Sequence, residues 1–198
     1  MYTVIGNLKS RAFRVVWLLE ELGEPYEMRP EPPRSDAVRA LNASGKIPLL
    51  LEGDAVLSDS TAIMTYLADR HGRLTHPAGT LSRARQDAMT FRILDEIENT
   101  LWTAARHSFV LPQERRVPQV KDSLKWEYER SIASLMDDLP GEWLAGESPT
   151  VPDILLAHCG GWAKAAGFPA DEPRFADYLK RMRSRPAFRR VAEMARAA

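Results

Sequence analysis

The sequence has 198 residues, enough for one large domain or two small ones with a substantial core. Its 27 basic and 27 acidic residues cancel, so the charge gives no indication of a nucleic-acid or membrane partner. With one cysteine, no secretion-signal layout and no apolar run long enough to span a bilayer, we expect a cytoplasmic protein.

The first 72 residues contain short elements of mixed type. Gly23 and Gly72 are natural helix stops, and Glu52-Gly53-Asp54 is a hairpin turn signal. Hydrophobic spacing predicts strands over 2–5, 26–29, 47–51 and 55–57, and helices over 12–22, 35–41 and 60–70. This order predicts a parallel strand pair with a crossover helix, followed by an antiparallel pair.

No strand signal follows the proline- and glycine-containing segment 74–80, which we interpret as a linker. The remainder of the chain has helical spacing throughout. We predict a long helix over 82–107, a second one around 126–139, a third over 151–166, and shorter ones over 175–183 and 187–197.

Lys46-Ile47-Pro48 stands where a strand should begin. The simpler interpretation is a proline at a strand start, where the missing amide proton costs nothing. The alternative is a cis Ile47-Pro48 bond, which would turn the backbone of Ile47 outward to pair with an extended peptide ligand.

Serines occur at two predicted helix starts, each of which follows a strand or a loop. Ser58-Asp59-Ser60 opens the helix over 60–70, and either Ser58 or Asp59 can be its N-cap. A helix start of this kind can also hold a ligand carboxylate. Ser10 precedes the first helix, where a cap is the simpler role and a catalytic hydroxyl the alternative. Thr150 and Asp153 form a capping box, which we interpret as structural.

In this order and spacing, these pieces resemble the glutathione transferase superfamily over essentially the whole chain. The resemblance rests on the segments SRAFRV from Ser10, EELGEPYE from Glu20, NASGKIPLL from Asn42, LSDSTAIMTYL from Leu57, PTVPDILL from Pro149 and RPAF from Arg185. It implies a thioredoxin-like α/β domain over 1–73, a linker over 74–80 and an all-α helical domain over 81–198.

The resemblance also implies roles for individual residues. Ser10 aligns with the serine that donates a hydrogen bond to the glutathione sulfur. Ile47, before Pro48, aligns with the residue whose backbone pairs with the cysteinyl unit. Asp59 and Ser60 align with the acidic–serine pair that holds the γ-glutamyl end, and Lys46 is placed for a ligand carboxylate.

We therefore expect a homodimeric serine-type, bacterial-like glutathione transferase without a metal, which uses glutathione as co-substrate and conjugates it to small hydrophobic electrophiles in detoxification. Trp102 and Arg106, on the long helix, are candidates for the wall of the electrophile pocket. Two alternatives stay open. One is a glutathione-dependent lyase or isomerase that uses the same activated thiol. The other is a catalytically weak glutathione- or ligand-binding protein on the same fold.

Overall fold

The computed structural model describes residues 1–197. The chain divides into two compact units, one formed by Met1–Thr80 with the residues from Arg183 onward, the other by Leu81–Met182. In the described part of the chain, no helix is both long and apolar enough to cross a membrane.

The first unit is built on a four-stranded sheet in the order β2-β1-β3-β4. Its strands are β1 (Tyr2–Ile5), β2 (Tyr26–Arg29), β3 (Leu49–Glu52) and β4 (Ala55–Ser58). β1 pairs with β2 in parallel and with β3 antiparallel, and β3 pairs with β4 antiparallel. Both predicted pairings are confirmed. β3 begins two residues later than predicted, because Pro48 has no amide proton to give to a strand ladder.

Four helices belong to this unit: α1 (Ala12–Leu22), α2 (Asp36–Leu41), α3 (Ser60–His71) and α9 (Pro186–Ala197). Gly23 and Gly72 end α1 and α3 in the left-handed conformation, as predicted. α1 buries a nearly continuous apolar surface that includes Val15, Trp17 and Leu18, each fully buried.

The second unit is helical. Its helices are α4 (Leu81–Arg92), α5 (Asn99–Ala105), α6 (Val120–Asp137), α7 (Val151–Ala165) and α8 (Pro173–Arg183). The sequence predicted one continuous helix over 82–107. In the structure a π-helical segment, Ile93–Glu98, separates α4 from α5, and a second one, Arg106–Val110, follows α5. Such one-turn widenings of a helix depend on how its side chains pack, so hydrophobic spacing does not reveal them.

α9 packs against α1, which explains why the C-terminal residues group with the first unit. The ring of Phe188 meets those of Trp17 and Phe13 edge to face, with centroid separations of 4.9 Å and 5.6 Å. Arg185 donates two hydrogen bonds to the carboxylate of Glu21, at 2.6 Å and 2.7 Å. This grouping differs at its C-terminal end from the predicted helical domain over 81–198.

The start of α7 is organised around the buried carboxylate of Asp153. Oδ2 accepts from the amide and hydroxyl of Thr150 at 2.8 Å and 3.0 Å. Oδ1 accepts from Tyr178 Oη at 2.8 Å and from the amide of Leu144 at 3.0 Å. Burial raises the pKa of Asp153, and these four hydrogen bonds oppose that rise. The predicted capping pair therefore ties α7 to α8 and to the segment that precedes α7.

We expect Thr150→Ala to lower the free energy of unfolding by about 0.5–2 kcal/mol, the usual range for an N-cap residue. The physical reason is the lost hydroxyl donor to a buried carboxylate. Denaturant midpoints of the purified variant measure the loss, and Ser148→Ala, at an exposed serine of the same loop, is the matched control. Equal midpoints for the two variants would contradict a stabilising role for Thr150.

Candidate functional site

The strand register brings three chain segments to one edge of the sheet. Ile5, the last residue of β1, lies opposite Leu49, the first residue of β3. Leu49 in turn lies opposite Ser58, the last residue of β4. The loop that leads to Ser10, the segment before β3 and the start of α3 therefore meet there. The sheet thus places the first-unit candidate residues predicted from the sequence at a common edge.

Gly6 shows how closely the first two segments approach. A Cβ at this position would lie 3.2 Å from the Cβ of Ala12 and 3.4 Å from the Cβ of Ile47. Its φ of +143° also disfavours a side chain. The Ile47-Pro48 bond is cis, as the second interpretation predicted. Pro48 is buried, whereas Lys46 is exposed.

The hydroxyl of Ser10 both donates and accepts a hydrogen bond. It donates to the carbonyl oxygen of Asn7 at 2.7 Å and accepts from the amide of Ala12 at 3.1 Å. Ala12 is the first residue of α1, so Ser10 satisfies an amide that no helical carbonyl can reach. The predicted capping role of Ser10 is therefore present, and its proton already has an acceptor in the loop.

Asp59 is the N-cap of α3, which decides between the two cap candidates of the sequence. Its Oδ1 accepts from the amides of Thr61 and Ala62 at 2.9 Å and 3.0 Å. Its backbone has φ 68° and ψ 117°, a positive-φ conformation that is rare for a residue with a side chain. With these two amides already bonded, the amide and hydroxyl of Ser60 and the hydroxyl of Thr61 are left as donors at the start of α3.

The hydroxyl oxygen of Ser60 is held from inside the unit by Arg14. Arg14 Nε and Nη2 lie 3.0 Å and 2.7 Å from Ser60 Oγ, and Nη2 also lies 3.3 Å from Thr61 Oγ1. Arg14 is 1% exposed and Ser60 2% exposed. A hydrogen-bonded guanidinium therefore connects α1 to the first residues of α3.

Trp102 and Arg106 lie one helical turn apart in the second unit, on α5 and at the start of the π-helical segment that follows it. Arg106 Nη2 donates to Thr103 Oγ1 at 2.9 Å. Arg106 Nε is buried and has no hydrogen-bond acceptor among residues 1–197.

Another group of ionisable side chains lies at the opposite end of β1 from Ser10. Tyr2 Oη lies 3.0 Å from His71 Nε2, and His71 Nδ1 lies 3.2 Å from the carboxylate of Glu24. Burial is the main cause that raises the pKa of the Tyr2 hydroxyl. Tyr2, as the first residue of β1, therefore lies away from a thiol bound near Ser10.

Two residues of the site were missed by the functional reading of the sequence. Arg14 is a charged residue within the apolar surface of α1, between Ala12 and Val15, and that interruption is a signal that could have identified it. Asn7 acts through its backbone carbonyl, whose direction depends on the loop conformation, so no sequence signal was available.

Comparison with known proteins gives a consistent result. Residues 10–70 match the family described as "Glutathione S-transferase, N-terminal domain". The chain is similar to the glutathione S-transferase GstA of Escherichia coli O157:H7, with 28% identity over 151 residues, 74% of this chain and 72% of the relative. A wheat (Triticum aestivum) glutathione S-transferase is 27% identical over 156 residues, 76% of this chain and 72% of the relative.

Solved structures agree with these relatives. A glutathione transferase of Phanerochaete chrysosporium in complex with oxidized glutathione superposes with a TM-score of 0.85 and 24% identity, over 99% of this chain and 96% of that one. A glutathione transferase of Methylococcus capsulatus gives 0.84 and 24%, over the full length of both chains. The predicted fold class is confirmed: the chain has the glutathione transferase fold. The sequence matches and the structural neighbours together support the glutathione transferase superfamily.

Proposed function

We propose that this chain is a serine-type glutathione transferase that activates the glutathione thiol with Ser10 and conjugates it to small hydrophobic electrophiles. One observation carries the proposal: the Ser10 loop, the segment around Pro48 and the start of α3 meet at one sheet edge. The match of residues 10–70 to the transferase N-terminal domain adds support. In this reaction the thiol gives its proton to solvent water, the Ser10 hydroxyl donates a hydrogen bond to the thiolate, and the electron pair of the sulfur forms the bond to carbon. If the electrophile carries a leaving group, that group departs with its electron pair. If the electrophile is an activated alkene, the carbanion formed by the addition takes up a proton from water.

The proposed ligand spans the sheet edge. Its γ-glutamyl end binds at Asp59 and Ser60, where a carboxylate and the free donors of Ser60 match the ammonium and carboxylate of that end. Its cysteinyl unit pairs with the backbone of Ile47 next to Pro48, and Lys46 supplies positive charge for a carboxylate. The Phanerochaete chrysosporium structural neighbour, solved in complex with oxidized glutathione, supports this choice of co-substrate.

Ser10 must exchange hydrogen-bond partners to act on the sulfur. In the structure its hydroxyl donates a hydrogen bond to the carbonyl oxygen of Asn7. A bond to a neutral acceptor contributes about 0.5–1.5 kcal/mol and one to a charged acceptor about 1.5–3 kcal/mol. The exchange therefore favours the thiolate by about 1–1.5 kcal/mol, which lowers the thiol pKa by about one unit.

The engaged hydroxyl of Ser10 also favours the second candidate, a catalytically weak glutathione-binding protein. In that case Ser10 stays bonded to Asn7 and serves only to start α1. A lyase or isomerase would use the same thiol chemistry and differ in the electrophile. We assign Trp102 and Arg106 to the wall that receives this electrophile, in either reaction.

The outer face of α4 supports a homodimer. Leu81, Ala84, Ala88 and Phe91 follow one another at helical spacing and are all exposed, with Leu81 at 79% and Phe91 at 66%. The same helix buries Gln86 and Thr90. A surface helix normally exposes its polar residues and buries its apolar ones, whereas α4 does the opposite. We therefore expect the surface of a second subunit to cover the apolar stripe.

We expect wild-type protein to bind glutathione in calorimetric titration, and Lys46→Ala to weaken binding by up to about fivefold, since an exposed ion pair contributes about 0.2–1 kcal/mol. The loss should shrink at high salt, where exposed charges are screened. Lys164→Ala, which removes an exposed lysine from the second unit, is the control. A wild-type protein that binds no glutathione would overturn the proposed function.

We expect Ser10→Ala to lower turnover with a model electrophile about tenfold at pH 7, because the thiol pKa rises by about one unit. The difference should vanish well above the thiol pKa, where the thiol ionises without help. Absorbance of the bound thiolate against pH measures the shift directly, and Ser10→Thr, which keeps a hydroxyl, is the control. Superimposable titrations and equal turnover would leave Ser10 as a helix cap and favour the binding-protein alternative.

We expect light scattering at micromolar concentration to give about twice the chain mass of 22.3 kDa. Phe91→Asp places a charge in the exposed apolar stripe of α4 and should shift the protein to the monomer mass without unfolding it. A wild-type protein of monomer mass would reject the homodimer.

A further inference from the structure

We propose that Arg14 is a positioning residue for the carboxylate of the γ-glutamyl unit of glutathione. It fixes the Ser60 hydroxyl so that its proton is available only to the ligand. This inference rests on the proposed function and assigns a role to a residue that touches no ligand itself.

The first observation is the environment of Arg14. A guanidinium is rarely as buried as 1% exposure, because its removal from water must be offset by hydrogen bonds. Arg14 has such bonds to Ser60 and Thr61. Their acceptors are adjacent residues at the start of α3, which is also the proposed carboxylate site.

The second observation is the direction of these bonds. A guanidinium can only donate, whereas a hydroxyl has one proton and two acceptor lone pairs. Two N–H groups of Arg14 approach Ser60 Oγ from the same side, at 2.7 Å and 3.0 Å, so the hydroxyl proton must point away from the guanidinium. The hydroxyl of Ser60 must then act as a donor. In the structure it donates no hydrogen bond to any of residues 1–197.

The third observation is the competition at the helix start. Asp59 Oδ1 already accepts the amides of Thr61 and Ala62. The hydroxyl and the amide of Ser60 remain as donors there, beside the hydroxyl of Thr61. Without Arg14, the hydroxyl could rotate and donate to a backbone carbonyl, as helix-start serines commonly do. Arg14 thereby restricts the direction of the Ser60 O–H bond, so that the hydroxyl can donate to an anion bound at the start of α3.

The experiment compares two ligands in four proteins. The ligands are glutathione and its analogue in which the γ-glutamyl α-carboxylate is an amide. The proteins are wild type, Ser60→Ala, Arg14→Met and the double variant, each measured by calorimetric titration. We expect wild type to prefer glutathione. Ser60→Ala and Arg14→Met should each reduce that preference by roughly fivefold to tenfold, the difference between a hydrogen bond to a carboxylate and one to a neutral amide oxygen. The double variant should lose no more than either single one, because both changes remove the same contact.

Arg73→Met is the matched control. Arg73 also connects two elements of the first unit, since it donates to the carbonyls of Leu22 and Glu21 at 2.7 Å and 3.0 Å, but it does not contact Ser60. Its loss should lower the melting temperature and leave the ligand preference unchanged. Arg14→Lys keeps the charge but not the forked donors, so it should retain only part of the preference.

The outcomes separate this inference from the proposed function. No glutathione binding by wild type overturns both. Glutathione binding with a preference that Arg14→Met leaves intact, or losses that add in the double variant, overturns only the role of Arg14. If Arg14→Met does not fold, Arg14→Lys and Ser60→Ala still decide. An unchanged preference in Ser60→Ala shows that the hydroxyl is not the donor, and then Arg14 has nothing to position.

Discussion

The register of three strands is the constraint on which the candidate site depends. Ile5, Leu49 and Ser58 lie side by side at the end of the sheet. The tight turn between the paired residues Glu52 and Ala55 fixes the register of β3 against β4. Because the register is fixed, the loops that follow β1 and β4 and precede β3 meet without a dedicated contact to draw them together.

The chemistry available at this edge is set by which donors and acceptors the fold has already used. Asp59 accepts hydrogen bonds from two amides of α3, and two N–H groups of Arg14 donate to the hydroxyl oxygen of Ser60. At the other end of the site the Ser10 hydroxyl is held by Asn7 and Ala12. The start of α3 is thus ready to donate to an anion, whereas the start of α1 must first release a bond. Anion binding at α3 and thiol activation at α1 are therefore separable properties, and a protein of this fold can have the first without the second.

The sequence predicted those parts of the fold that local patterns determine. The helix ends at Gly23 and Gly72 follow from residue type, and the hairpin follows from the turn signal around Gly53. It could not predict features that arise when distant segments meet. The amphipathic pattern of the last helix shows that it has an apolar face, but not that the face packs on α1. The bond from Ser10 to Asn7 likewise depends on a loop conformation that neither residue type specifies.

The arrangement around α1 explains how a buried arginine can be kept in a fixed orientation. On one side α1 is tied to α3 through Arg14 and Ser60. On another it is held by the residue before α9, because Nε and Nη2 of Arg185 donate to the carboxylate of Glu21. Within α1, the Trp17 indole N–H donates to the same carboxylate at 3.0 Å. Bidentate pairs of this kind fix geometry more strongly than single contacts. Since Ser10 precedes α1 and Arg14 lies in its first turn, any rotation of α1 would displace both proposed functional ends together. The C-terminal helix is therefore part of the structure that supports the proposed glutathione site, although it lies more than a hundred residues away in the sequence.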